Sequence, residues 1–142
     1  VNELSERGVR EELRENFGMG AIAILAAESI SKEEGLDAGP LIIDGLYSGA
    51  EEEVLKNAFP GRVSTIAVHA RRAIREGRVA RRPVRPLTAH ELLGRDHREV
   101  ETLDKATPIA LADYHVVNDG SIMDLEGAVR QLLSELPVGQ RR

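Results

Sequence analysis

The stretch that most constrains this chain is Leu41-Ile42-Ile43-Asp44-Gly45, a short apolar run that ends in a carboxylate and then a glycine. Gly39 and Pro40 punctuate its start. A continuous apolar run of this length reads as a strand buried on both faces, as in a parallel sheet. In open α/β sheets ligands bind beyond the carboxyl ends of the strands, so Asp44 stands where chemistry is usually done. Gly45 allows a sharp turn or the close approach of a ligand. The bland alternative is an Asp that only caps the following turn.

Helical and extended segments alternate along the rest of the chain. Arg10 to Asn16 is a strongly charged helical stretch with Leu13 and Phe17 on one side, and Gly18 closes it. Gly20 to Glu34 is a second helix carrying Ile22, Leu25, Ala26, Ser29 and Ile30 at helical spacing. Gly18-Met19-Gly20 is not a phosphate loop, because neither Lys nor Ser/Thr follows it. Ser48 and Glu51 have capping-box spacing, which predicts a helix from Gly49 with Ala50, Val54, Leu55 and Ala58 on its apolar side. Pro60-Gly61 breaks it, and Val63 to His69 is the next strand. Thr88 to Leu103 reads as a helix capped by Thr88 and Glu91. Tyr114 to Val117 is a strand, and Asn118-Asp119-Gly120 a tight turn. Ser121 caps a last helix whose stripe is Ile122, Leu125, Val129, Leu132, Leu133 and Leu136. The three strands at 41–43, 63–68 and 114–117 are expected to lie parallel and adjacent, joined by right-handed crossovers. From Arg71 to Glu76, the connection after His69 is short of the roughly dozen residues that a parallel crossover takes.

Charge adds a second constraint. Between Arg71 and Arg85 lie seven arginines, with Glu76 the one acid among them. Guanidinium forks match phosphate oxygens, so this segment reads as a flap that closes over phosphates, lid-like over about residues 71–98. A solvated charged loop is the plainer reading. The formal net charge of −5 argues against a general nucleic-acid coat, and no specific nucleic-acid partner is expected. Without cysteine there is no disulfide framework and no thiolate metal site. His69, His90, His97 and His115 are scattered, with no metal-ligand spacing. No apolar run is long enough to cross a bilayer, and the expectation is a soluble cytoplasmic protein with no membrane partner.

Several of these segments, in this order, resemble an archaeal family of P-loop kinase-like proteins related to dephospho-CoA kinase and adenylate kinase. The residues that carry the resemblance are Leu41 to Gly45, Val68-His69-Ala70, Arg95-Asp96 with Arg98-Glu99, and above all Ala112 to Ser121 within Ile109 to Ser121. Glu12-Leu13-Arg14-Glu15 before Gly18 also fits. The resemblance implies one domain over residues 1–142, a doubly wound parallel α/β sheet with helices on both faces, incomplete at the N-terminus. It implies ATP and Mg²⁺ as cofactors and phosphoryl transfer to a small nucleotide-like acceptor, with a second copy of the chain carried as a partner. Asp44 would hold Mg²⁺ through water or orient the acceptor hydroxyl. Arg95, with flap residues Arg78, Arg81 and Arg82, would offset phosphoryl charge. Asn118, Gly120 and Ser121 would lie near the adenine.

Departures from the family pattern set the alternative. None of Lys32, Lys56 and Lys105 follows a glycine, so the sequence contains no G-x-x-x-x-G-K-[ST]. The first strand and phosphate loop are expected before Val1. Tyr47 stands where the family has an arginine. The second function class is therefore a non-catalytic binding or structural relative that keeps the sheet but not the chemistry.

Overall fold

A computed structural model describes residues 3–32 and 39–136. Among these residues the chain is α/β, with seven helices and one parallel sheet of two strands. It divides into two compact units, Val1–Val63 with Leu103–Pro108, and Ser64–Thr102 with Ile109–Arg142.

The first unit is helical. Helix α1, Glu3–Phe17, runs through Gly8 without a break. Gly18 ends it at φ +84°, its N–H donating to the Arg14 carbonyl at 2.9 Å, a conformation that costs glycine little. Helix α2, Ala21–Lys32, packs against α3, Gly49–Ala58. Small side chains decide how closely. Ala23 and Ala27 are buried with Leu55, and half-buried Leu46, Val54, Phe59 and Val63 close around them. Gly20 faces the same seam, where a Cβ would lie 2.9 Å from Val54 Cγ2. The buried line of α2 is thus Ala21, Ala23 and Ala27, while Leu25 of the expected stripe is exposed. The expected end of this helix, at Glu34 and Gly35, lies outside the described residues.

Residues 41–43 overturn the strand expected of them. They form no ladder, and Leu41, Ile42 and Ile43 are 55%, 87% and 46% exposed. An apolar run becomes a strand only when a neighbouring backbone takes up its N–H and C=O groups. Among the described residues none does.

The second unit contains the sheet. Strand β1, Ile66–His69, pairs in parallel with β2, Tyr114–Val117, in the register Ile66 to Tyr114 and His69 to Val117. The two expected strands that form are parallel neighbours; the third does not join them. The connection between them is not short. It spans residues 70–113 and includes helices α4, Arg72–Ala80, α5, Ala89–Glu101, and α6, Ala106–Ala110. Helix α7, Ile122–Glu135, packs on β2. Buried in this unit are Ala67, Val79, Leu92, Val116 and Leu132. In the stripe expected of α7, Leu132 is buried, whereas Ile122 and Leu133 are exposed. No helix among the described residues is long and apolar enough to cross a membrane.

Candidate functional site at the carboxyl ends of the strands

Each strand of the sheet ends in a polar segment that the local sequence shapes. After β1 the chain enters α4 at Arg71, and after β2 it turns through Asn118, Asp119 and Gly120 into α7. Ser121 caps α7. Its hydroxyl accepts from the Asp124 N–H at 3.3 Å, while Asp124 Oδ2 accepts from the Ser121 N–H at 2.8 Å and from its hydroxyl at 2.7 Å. These bonds, the hydroxyl's first, hold the Asp124 carboxyl below its usual range. Thr88 and Glu91 build the same reciprocal box at the start of α5.

Arg71, just before α4, and Arg78 within it tie the two strand ends together. Arg78 Nη1 donates to the Asn118 carbonyl at 2.6 Å and to Asn118 Oδ1 at 3.1 Å, and its Nη2 donates to the Gly120 carbonyl at 2.7 Å. The Arg71 N–H donates to Asp119 Oδ1 at 2.7 Å, and Arg71 Nε to Oδ2 at 2.7 Å. The Arg71 main-chain bond, followed by the guanidinium, holds the Asp119 carboxyl below its usual range. The Asn118 N–H donates to the His69 carbonyl at 2.6 Å. Of the residues expected to bind the cofactor, Arg78, Asn118 and Gly120 are in direct contact, and Ser121 follows at once in the chain.

The arginine segment is not an open loop. Arg72–Ala80 is helical and buries Val79. Arg72 pairs with Glu76 at 2.7 Å within the helix. Arg75 grips Asp96 of α5 with both terminal nitrogens, Nη1 to Oδ1 at 3.1 Å and Nη2 to Oδ2. That carboxylate, by hydrogen bond first and by charge second, raises the Arg75 pKa. Apart from Glu76, the acids that balance this cationic run come from other parts of the chain. Arg81 and Arg82, past the helix end, are exposed, and their side chains make no hydrogen bond or ion pair among the described residues. Arg95 Nε donates to Glu99 Oε1 at 2.8 Å, so its charge is partly spent on α5.

Asp44 belongs to the first unit. It is exposed and makes no hydrogen bond or ion pair among the described residues, and Gly45 after it sits at φ +95°. The capping role is taken by Ser48, whose hydroxyl accepts from the Glu51 N–H at 3.1 Å. Asp44 is thus not the cap of α3.

A third cluster escaped the sequence reading. Glu51, expected as half of a capping box, sends its carboxylate elsewhere. Its Oε2 accepts from the Tyr47 N–H at 2.8 Å and its Oε1 from Arg14 Nη2 at 3.0 Å. Both side chains are nearly sealed from water, at 9% exposure for Arg14 and 5% for Glu51. Lys105 Nζ lies 4.7 Å from the centre of the Tyr47 ring, and Arg14 Cζ lies 5.8 Å from it. The spacing of Arg14 and Glu51 along the chain gave no sign of this pairing. His69 and His115, read as scattered, also meet across the sheet. The signal was present in two strands expected to run parallel.

No family model matches the chain. A UPF0200 protein of Sulfurisphaera tokodaii is 34% identical over 128 residues, covering 89% of this chain and 68% of that protein. The UPF0200 protein of Pyrococcus abyssi is 33% identical over 129 residues, covering 86% and 68%. That of Aeropyrum pernix is 39% identical over 124 residues, covering 87% and 63%. The chain spans about two thirds of the length of these relatives, all of them archaeal. On this coverage and identity, the chain belongs to the UPF0200 family.

Proposed function

We propose that the protein is an ATP-dependent phosphotransferase of the nucleotide kinase type, acting on a small nucleotide-like acceptor. The observation that carries this reading is the anchoring of Arg78 on the turn Asn118–Gly120, at the carboxyl ends of two parallel strands. That is the edge of an α/β sheet where ligands bind, and a turn held this firmly offers fixed polar groups to a base. Arg81 and Arg82, exposed beside it in sequence, are left to meet phosphate oxygens. Arg95 is a weaker participant because Glu99 shares its charge.

In the first unit, taken by itself, Asp44 is the candidate carboxylate. Mg²⁺ is commonly held by one or two carboxylates together with substrate phosphates and several waters. A single exposed carboxylate with no partner among the described residues suits that mode. The described residues contain no cluster of three or more acidic or histidine ligands, so they do not suit a metal held by protein alone. Asp44 would bind the ion through water or orient the acceptor hydroxyl. When bound, Mg²⁺ supplies charge neutralisation on the transferred group.

A non-catalytic binding relative is the alternative, and one observation favours it: Arg71, Arg72 and Arg75 are already neutralised by Asp119, Glu76 and Asp96. The experiment is a titration of ADP and ATP, with and without Mg²⁺, followed by amide shifts, and then a phosphate-transfer assay on the full-length protein. Shifts clustered at Asn118–Ser121 with Mg²⁺-dependent turnover support the kinase reading. Absence of binding at millimolar nucleotide assigns the protein to the non-catalytic class.

A further inference from the structure

The register of the sheet sets Ala67 beside His115 and His69 beside Val117. Residues two apart on a strand share a face, so His69 and His115 are diagonal neighbours on one side of the sheet. His69 Nε2 and His115 Nδ1 are 2.9 Å apart. Their ring planes differ by 20°, and the ring centres are 5.2 Å apart. That separation is the nitrogen–nitrogen distance plus two ring radii. The imidazoles therefore lie edge to edge, nearly coplanar, with the facing nitrogens aimed at each other.

Such a contact holds one proton. One nitrogen donates its N–H and the other accepts through its lone pair. Adding one proton to the pair keeps the bond, since an imidazolium still donates to a neutral ring. Adding a second turns both facing nitrogens into donors, and the bond cannot exist. A metal ion does not fit in line between them, because two metal–nitrogen bonds of about 2 Å each exceed the gap.

We propose that the His69–His115 pair is a pH-sensitive clasp across the β1–β2 ladder, closed while at most one imidazole is charged and open when both are. The clasp stands whether or not the neighbouring turn binds nucleotide. Neither imidazole has a carboxylate partner among the described residues to accept the second charge. The charged groups on the surrounding elements are engaged elsewhere. Arg71 holds Asp119, Arg78 holds the Asn118–Gly120 turn, and Arg72 and Arg75 on α4 hold Glu76 and Asp96. On α7, which packs along β2, Asp124 is bound to Ser121, and Arg130 pairs with Glu126. Before β2, Asp113 accepts from the Thr65 N–H. The link at stake is direct: the His69 carbonyl receives the Asn118 N–H, so the clasp steadies the turn that Arg78 also grips.

The test uses the ring nitrogens of ¹⁵N-labelled protein, followed from about pH 8 to about pH 5, where histidine is the side chain that charges. A scalar coupling between His69 Nε2 and His115 Nδ1 at the upper end, lost at the lower end, is the expected result. No coupling at the upper end, or one that persists to the lower, overturns the proposal. Thermal melts of the wild type, His69→Gln and His115→Gln over the same range give a second readout. His90 and His97 remain in all three, so their contribution cancels. The wild type should lose several degrees more than either variant. An equal loss in all three overturns the clasp. Should a variant fail to fold, the nitrogen coupling in the wild type decides alone.

Discussion

Arg78 and Asn118 are joined twice, one guanidinium nitrogen serving both the main-chain carbonyl and the side-chain oxygen of the same residue. This fixes the amide of Asn118 in one orientation, with its oxygen toward α4 and its NH₂ group turned away. Arg78→Lys keeps the charge but loses the fork. We expect adenine-nucleotide affinity to fall at least about tenfold, the worth of one charge-assisted hydrogen bond or more. Isothermal titration beside a melting curve checks it. Unchanged affinity would leave Arg78 a purely structural tie.

Asp44→Asn tests the carboxylate. The residue is exposed and has no partner among the described residues, so stability should change by less than about 1 kcal/mol. Mg²⁺-dependent ATP turnover of the full-length protein should collapse. Melts and phosphate release, measured on the same preparations, separate the two effects. A lower melting point with normal turnover would make Asp44 structural.

The Arg14–Glu51 pair should behave in the opposite way. Glu51→Ala leaves a buried guanidinium without its carboxylate and the Tyr47 N–H without an acceptor. The expected loss is about 3–5 kcal/mol in urea unfolding. Arg14 Nε already has no partner among the described residues, so the site is poorly compensated even in the wild type. Replacing both members with apolar residues, as in Arg14→Met with Glu51→Leu, should recover much of the loss.

Acid should weaken the second unit through Asp119. Its carboxyl is held below the usual range by Arg71, so near pH 4 the unfolded chain binds more protons there than the folded one. The stabilisation is complete above the ordinary carboxylate range and is lost as pH falls through the folded value. Asp119→Asn should be less stable than the wild type at neutral pH, and the gap should close as the pH drops. Urea midpoints taken in steps of pH would show it. A gap that stays constant would mean that the ion pair contributes nothing through its charge.

Local codes were legible in the sequence and long-range ones were not. Ser48, Thr88 and Ser121 were readable as caps because the hydroxyl and the amide it receives are three residues apart. Strand pairing at 66–69 and 114–117 followed from two apolar runs that found each other. Leu41–Ile43 has the same composition, but a strand needs a neighbour, and composition does not say whether one arrives. The arginine run looked uncompensated because Asp96 and Asp119 lie 21 and 48 residues from the arginines they serve. The histidines looked scattered because metal spacing is sought within one element, whereas 46 residues separate His69 from His115.

The first unit takes Leu103–Pro108 from within the sequence span of the second. Lys105 faces the Tyr47 ring from that segment, and Thr107 Cγ2 lies 2.9 Å from where a Cβ on Gly49 would be. On the ribosome, residues up to Val63 emerge long before this piece does. Helices α2 and α3 can pair early, but the surround of Tyr47 and Gly49 must wait for about forty further residues, a delay of seconds at ordinary rates of synthesis. A nascent chain arrested after Val63 would therefore present Tyr47 and the start of α3 without Lys105 and Thr107 beside them, and a protease or chaperone that recognises that surface would have a defined interval in which to act.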